Sequence, residues 1–266
     1  MINIILAGCN GYMGRVVTKV AQADDEIRIT AGVDINTDFQ QDYPVYSSFY
    51  SSNSGTAPCR CNGISIQEPG DVIIDFSNPS ALEPMILYAE GNKIPLVLCT
   101  TGYNESQNDL IKNASKSIPI FKSGNMSLGI NLLAQLVRRA CAFLGDEYDI
   151  EIVEKHHRRK VDAPSGTALL LADAAASALT YNPTYVYDRS EHKKPREQTD
   201  IGISSLRGGT IVGSHEVIFA GNDEVIEIKH SAASRDIFAV GAIKAAKFIA
   251  KIQKPAMYDM SDMLIC

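Results

Sequence analysis

The stretch that decides the fold is LAGCNGYMGRVV, Leu6 to Val17. An apolar run enters it from Ile2, glycines fall at 8, 11 and 14, and a helix-like pattern leaves it at Tyr12. A strand that ends on glycine and reopens as a helix is the β-to-α turn of a parallel sheet. The spacing G-x-x-G-x-x-G is a variant of the dinucleotide fingerprint G-x-G-x-x-G, with Asn10 at the usual middle glycine. Glycines permit the tight turn, and N–H groups at a helix N-terminus attract a pyrophosphate. Glycines open many such turns, so the spacing alone is a weak signal. Asp34 strengthens it, ending the next apolar run IRITAGV where a carboxylate can accept from both adenosine ribose hydroxyls.

Outward from this turn, short apolar runs alternate with helical patterns as far as residue 126. Strands are expected in DVIIDF (Asp71–Phe76), IPLVLCT (Ile94–Thr100) and IPIFKS (Ile118–Ser123), with helices after Pro79 and from Glu105. Right-handed crossovers then give a doubly wound, Rossmann-like α/β domain. A Ser-rich segment at 36–70 breaks the rhythm and is expected to be an exposed loop. Two turns, CTTGY (Cys99–Tyr103) and SGNMSLG (Ser123–Gly129), end strands on the side where open sheets bind ligands. Thr100, Thr101 and Asn125 are candidates to hold a nicotinamide riboside and carboxamide.

The second half has another grammar. LGINLLAQLVRRACAFLG reads as a helix, YDIEIVEKH as an alternating strand, and Ala-rich Gly166–Leu179 as a helix. Residues 201–232 alternate through three strands, with turns at Gly208-Gly209 and Gly221-Asn222-Asp223. A last helix is expected from Asp236 to Ile252. This predicts a dinucleotide-binding domain at 1–126 and 236–266, and a second α+β domain at 127–235.

The 266 residues are 45% hydrophobic and 21% charged, an ordinary globular composition. A formal net charge of −6 argues against nucleic acid as a partner. Six cysteines are scattered without zinc-ligand spacing, so free thiols and no metal are expected. No signal core and no apolar run of about 18 residues is apparent, so a soluble cytoplasmic protein is expected, with no membrane partner.

Against the acidic average stands EKHHRRKVDAPSGTAL, Glu154 to Leu169. Pro164 can fix a turn and Ser165 can cap the following helix, which leaves the amides of Gly166 and Thr167 for an anion. A helix N-terminus beside His156, His157, Arg158, Arg159 and Lys160 would suit a small substrate with two carboxylates. A histidine titrates near neutrality and can deliver a proton while a substrate accepts a hydride. No Lys or Arg follows Asp34 before Arg60, and Asp34, Asp38 and Asp42 would repel a 2′-phosphate, so NADH is expected to be preferred over NADPH.

This stretch resembles the signature E-x-H-H-x-x-K-x-D-x-P-S-G-T-A of the 4-hydroxy-tetrahydrodipicolinate (dihydrodipicolinate) reductases. AGCNGYMGR, TTGY, GNMSLGIN, LRGGTIVGSHEV and HSAASRDIFAVGA resemble further motifs of that family, and the likeness spans nearly the whole chain. It implies hydride transfer from NADH or NADPH to the 4-hydroxy-tetrahydrodipicolinate ring with loss of water, in lysine and diaminopimelate synthesis. It further implies His156 as proton donor or acceptor, Lys160 as a second donor, His157 as a substrate contact, and Gly166 with Thr167 as the carboxylate site. The matching cofactor contacts are Gly8, Cys9, Asn10, Gly11, Tyr12 and Met13, then Asp34. Cys99, Thr100 and Thr101 match as well, as do Ser123, Gly124, Asn125 and Met126. The second domain would bind substrate and build a homotetramer through its sheet. Two positions depart from the pattern. Cys99 stands where glycine is common, and Ile35 where some members place an arginine suited to a 2′-phosphate. A dehydrogenase of another dicarboxylate such as aspartate would not need the Pro-Ser-Gly-Thr cradle, and an NAD-sensing module would not need His156 with Lys160.

Overall fold

The computed structural model describes residues 1–49, 66, 70–190 and 193–264. The chain divides into two compact units, Met1–Met126 with Asp236–Cys266, and Ser127–Arg235.

The first unit is Rossmann-like. Its strands are β1 (Ile2–Ala7), β2 (Ile27–Val33), β3 (Val45–Tyr46), β4 (Val72–Asp75), β5 (Leu96–Leu98), β6 (Ile120–Lys122) and β12 (Met257–Tyr258). Among the described residues they form a seven-stranded sheet in the order β12-β6-β5-β4-β1-β2-β3. Every neighbouring pair is parallel. Ile4, Ile5 and Leu6 are all fully buried, as are Ile73 and Ile74. That is why these strands read as unbroken apolar runs: a parallel sheet covered on both faces has no polar side. The helices are α1 (Tyr12–Gln22), α2 (Leu82–Asn92), α3 (Glu105–Ala114), α6 (Asp236–Ile249) and α7 (Met260–Leu264). Asn104 and Gln107 form a reciprocal capping box that starts α3. The late helix α6 belongs to this unit, where it packs on α1, β4 and β5. Gly241 makes that seating possible, since a Cβ there would lie 1.7 Å from the Met126 carbonyl oxygen.

The second unit holds α4 (Leu128–Leu144), β7 (Asp149–His156), α5 (Gly166–Ala176), β8 (Thr184–Val186), β9 (Asp200–Arg207), β10 (Gly213–Ala220) and β11 (Val225–Ala232). Its mixed sheet runs β11-β10-β7-β9-β8. β7 is central, antiparallel to β10 and parallel to β9. Along β7, Ile150, Ile152, Glu154 and His156 are buried and the residues between them are half-exposed. The apolar members of that face join α4 and α5 in one core with Ile130, Leu133, Val137, Leu171 and Ala175.

Several boundaries differ from the sequence reading. The last helix stops at Ile249 and α5 at Ala176. Strands β3, β8 and β12 have two or three residues each, too short to show a period. β3 lies inside the segment expected to be a loop at 36–70; most of the rest of that segment lies outside the described residues. Cys59, Cys61 and Cys266 also lie outside them, while Cys9, Cys99 and Cys141 are buried free thiols. The helical stretch Leu128–Glu147 is long and apolar enough to cross a membrane by length and composition, at mean hydropathy 1.2, although Arg138 and Arg139 interrupt its apolar run. Its Ile130, Leu133, Val137 and Cys141 nevertheless bury in the core of the second unit.

Candidate active site

Each unit brings together its own share of the candidate residues. In the first, the turns after β1, β2, β5 and β6 all leave the same edge of a parallel sheet. Gly8 to Met13, Asp34, Cys99 to Thr101 and Ser123 to Met126 lie along that edge. The connections run outward from β1 in one direction and from β4 in the other, so the switch point falls between these two strands.

The glycine loop is close-packed. Gly8 has φ +75, and a Cβ there would lie 2.4 Å from the Phe76 carbonyl oxygen. A Cβ on Gly14 would lie 2.1 Å from the Gly8 carbonyl oxygen. Gly11 is the N-cap of α1 and has no side chain with which to cap it. This end of α1 fits a phosphate, because an uncapped first turn presents N–H donors and the positive end of the helix dipole. Asp34 accepts from the Asn10 and Asn36 amides, each at 2.9 Å. Asn10 in turn is bonded through its side chain to the Asn36 carbonyl and to Gln41. The carboxylate is thereby locked to the glycine loop.

Sequence reasoning missed two features here. Arg15, on α1 and so ahead of Asp34, donates to the Asn10 carbonyl at 2.8 Å and lies over the Phe39 ring at 5.1 Å. Looking for cations only after the acid overlooked it. Asp75, at the end of β4, is fully buried and accepts from the Ser77 amide and the Tyr103 hydroxyl, each at 2.9 Å. Burial raises its carboxyl above the usual range. The signal was an acid closing an apolar strand in DVIIDF. Cys99 has no positive φ; that freedom is used by Gly102, at φ +82, so cysteine costs no backbone strain at 99.

In the second unit the basic stretch begins on the last three residues of β7, Glu154 to His156, and runs on into the loop before α5. The ring of His156 is nine-tenths buried and its Nδ1 lies 2.6 Å from Glu154 Oε2. Glu154 is completely buried, and the Arg207 guanidinium donates to both its oxygens at 2.7 and 2.8 Å. Burial alone would raise this carboxyl, but hydrogen bonds from Arg207 and His156 outweigh it and bring it down to about 2. An ionised carboxylate only accepts, so the ring nitrogen facing it carries a hydrogen. A Cβ on Gly213 would lie 3.1 Å from His156 Nε2, so glycine keeps that side of the ring clear.

Ser165 caps α5 as the sequence predicts, accepting from the Ala168 amide at 3.1 Å. Its hydroxyl also meets His215 Nε2 at 3.0 Å. A Cβ at Gly166 would meet nothing within 4 Å, so the first turn of α5 opens on space. Lys160 pairs with Asp162 at 2.9 Å. His157 lies 3.3 Å from Arg235, and burial with that neighbouring positive charge lowers its pKa. His215 and Arg207 were not among the candidates. Register supplies them: His215 stands opposite Glu154 on β10, and Arg207 opposite His156 on β9.

Comparison with known proteins follows the two units. The family model described as dihydrodipicolinate reductase, N-terminus, matches residues 2–126, and that described as dihydrodipicolinate reductase, C-terminus, matches residues 129–264. The chain is 48% identical to 4-hydroxy-tetrahydrodipicolinate reductase of Clostridium tetani, over 99% of this chain and 97% of that protein. It is 49% identical to the protein of the same name from Caldanaerobacter subterraneus subsp. tengcongensis, over 99% and 98%. Among solved structures, a dipicolinate-bound dihydrodipicolinate reductase from Paenisporosarcina sp. TG-14 superposes with a TM-score of 0.78 at 20% identity, covering 99% of both chains.

Proposed function

The chain belongs to the dihydrodipicolinate reductase family, and on that premise we propose that it reduces 4-hydroxy-tetrahydrodipicolinate to tetrahydrodipicolinate with loss of water. It is an NAD(P)H-dependent oxidoreductase of lysine and diaminopimelate synthesis. The observation that carries the reading is the grouping of a buried, carboxylate-held His156, a lysine at 160 and the capped, open N-terminus of α5 on one unit.

The nicotinamide cofactor supplies the hydride when bound. The first unit's residues bind and orient it: the glycine loop and the start of α1 take the pyrophosphate, and Asp34 the adenosine ribose. Cys99 to Thr101 and Ser123 to Met126 hold the nicotinamide end. NADH is preferred, because Asp34, Asp38 and Asp42 oppose a 2′-phosphate, with Arg15 the nearby cation that limits the preference. On the second unit, the α5 amides at Gly166 and Thr167 receive one substrate carboxylate, with His157 beside them. The 4-hydroxyl leaves with a hydrogen of the neighbouring ring carbon as water, which creates a conjugated imine. Hydride addition at C4 then puts negative charge on the adjoining carbon and the ring nitrogen, and His156, with Lys160, supplies the proton that quenches it. Lys160 gives up Asp162 to reach the substrate. The protein works as a soluble cytoplasmic homotetramer, with the sheet of the second unit as the assembly surface.

The test couples the purified protein to the synthase that makes the substrate and follows oxidation of NADH and NADPH. Turnover with both, and a lower KM for NADH, is the expected result. No turnover with either overturns the reductase reading, and a tenfold or greater preference for NADPH overturns the cofactor preference. His156→Ala should lower kcat far more than it raises KM. A near-wild-type kcat would remove that residue from the proton step.

A further inference from the structure

Glu154 occupies a position the fold would give to an aliphatic side chain. It follows Ile150 and Ile152 on the buried face of β7, and no part of it reaches solvent. A carboxylate placed there needs donors on every side. It has two from Arg207, one from the Ser165 amide at 3.1 Å, one from the Ser205 hydroxyl, and the His156 ring. Three parts of the site meet at this group. The Ser165 amide is the entrance to α5. The Arg207 guanidinium also donates to the Asp162 carbonyl at 2.6 Å, at the end of the loop that carries Lys160. His156 is joined directly.

We propose that Glu154, clamped by Arg207, is the positioning residue for His156: it holds the ring with hydrogen on Nδ1 and reserves Nε2 for proton exchange with the substrate. The proposal rests on the reductase reading for the role of that proton, but the state of the ring stands on the geometry alone. Of the four groups around the carboxylate, the guanidinium and the amide are donors under all conditions, and the Ser205 hydroxyl turns freely between donor and acceptor. The imidazole can be either donor or acceptor, so its tautomer is what the carboxylate decides. A merely structural ion pair would need Glu154 and Arg207 but would not require a ring nitrogen at 2.6 Å. Glycine at 213, beside Nε2, keeps the reserved side of the ring free of a neighbouring side chain.

Glu154→Gln makes the test sharp. The glutamine must turn its NH2 toward one of these groups, and in a Ser205→Ala background, used for all the variants below, His156 is the one able to become an acceptor. Nitrogen-15 shifts of the labelled full-length protein read the tautomer at about pH 9, well above the range of a free imidazole. With five histidines in the sequence, a His156→Gln spectrum assigns the signal. The wild type is expected to show hydrogen on Nδ1 and Glu154→Gln hydrogen on Nε2. In the coupled assay, kcat of Glu154→Gln should fall roughly tenfold to a hundredfold with KM changed by less than about threefold. Glu154→Asp retains the charge, should keep the Nδ1–H ring, and should recover part of kcat; it also serves if the glutamine variant does not fold. An Nε2–H ring in the wild type, or an unchanged ring in Glu154→Gln, overturns the proposal. A changed ring with an unchanged kcat overturns its role in the proton step. A wild type that turns over no substrate yet shows the expected rings overturns the reductase reading and leaves the clamp supported.

Discussion

His215 and Ser165 show how single side chains set the chemistry of this site. Ser165 Oγ accepts from the Ala168 amide and lies 3.0 Å from His215 Nε2. His215 Nδ1 is buried and has no hydrogen-bond partner among the described residues. Burial, reinforced by His156 ring-to-ring at 5.1 Å, pushes its pKa down to about 4. Glu154 pulls the other way, while His230 and Lys160 push in the same direction as His156. The unfolded chain takes up this proton near pH 6.5, and the folded one resists until about 4. Stability from neutral His215 is therefore complete above pH 6.5 and is lost as pH falls toward 4, by roughly 3 kcal/mol in all. Urea unfolding of the wild type and of His215→Phe across this range should diverge by a slope the variant lacks. Parallel pH profiles would show that His215 does not carry the effect. His156, Lys160 and the Ser165 cap were legible as residues, because the stretch is written in one piece. His215 and Arg207 were not, because nothing local links them to it.

Among the elements, the turn into α1 and the turn into α5 look alike in sequence and differ in packing. Both open on glycine or beside one. Gly14 lets α1 sit against the Gly8 carbonyl, where a Cβ would lie 2.1 Å away, while Gly166 faces open space. Gly14→Ala meets backbone, which cannot rotate away, and overpacking of that kind costs about 1–3 kcal/mol or more. Its Tm is expected to fall by roughly 3–10 °C, by the usual scaling for a chain of this size. Gly166→Ala puts a better helix former into a position with room for it, so its Tm should hold or rise slightly. Equal losses in the two variants, measured by thermal unfolding, would contradict this account. The alternation of YDIEIVEKH was legible as a strand, and the structure carries it through Glu154 and His156 on one face. That the face is the buried one was decided by α4 and α5 packing on it. The short strands β3, β8 and β12 were invisible to pattern, since each exists through pairing with a longer neighbour.

At the scale of the whole molecule, β11 forms an edge of the second sheet, eight residues long. Val225 is 59% exposed and Ile226 36%, an apolar pair on a strand that no described residue pairs on its outer side. In the proposed homotetramer a second copy of the same chain would cover this edge. Sedimentation should give a mass about four times 28.9 kDa for the wild type. The double variant Val225→Asp with Ile226→Asp should give a smaller species, whereas a monomeric wild type would rule the assembly out. By itself the sequence determined the two grammars of the chain, the glycine turn, the acid after β2, and the histidines, lysine and helix cap of the basic stretch. These are local: they follow from periods of two and 3.6 and from what a glycine or a capping serine permits within a few residues. Only the tertiary structure decided that Arg207 and His215 flank Glu154 and His156, that Asp75 bonds Tyr103, and that Arg15 reaches the loop of Asp34. A pattern tells each side chain which face it is on, whereas its neighbour on that face is set by strand order and register, which connect residues far apart along the chain.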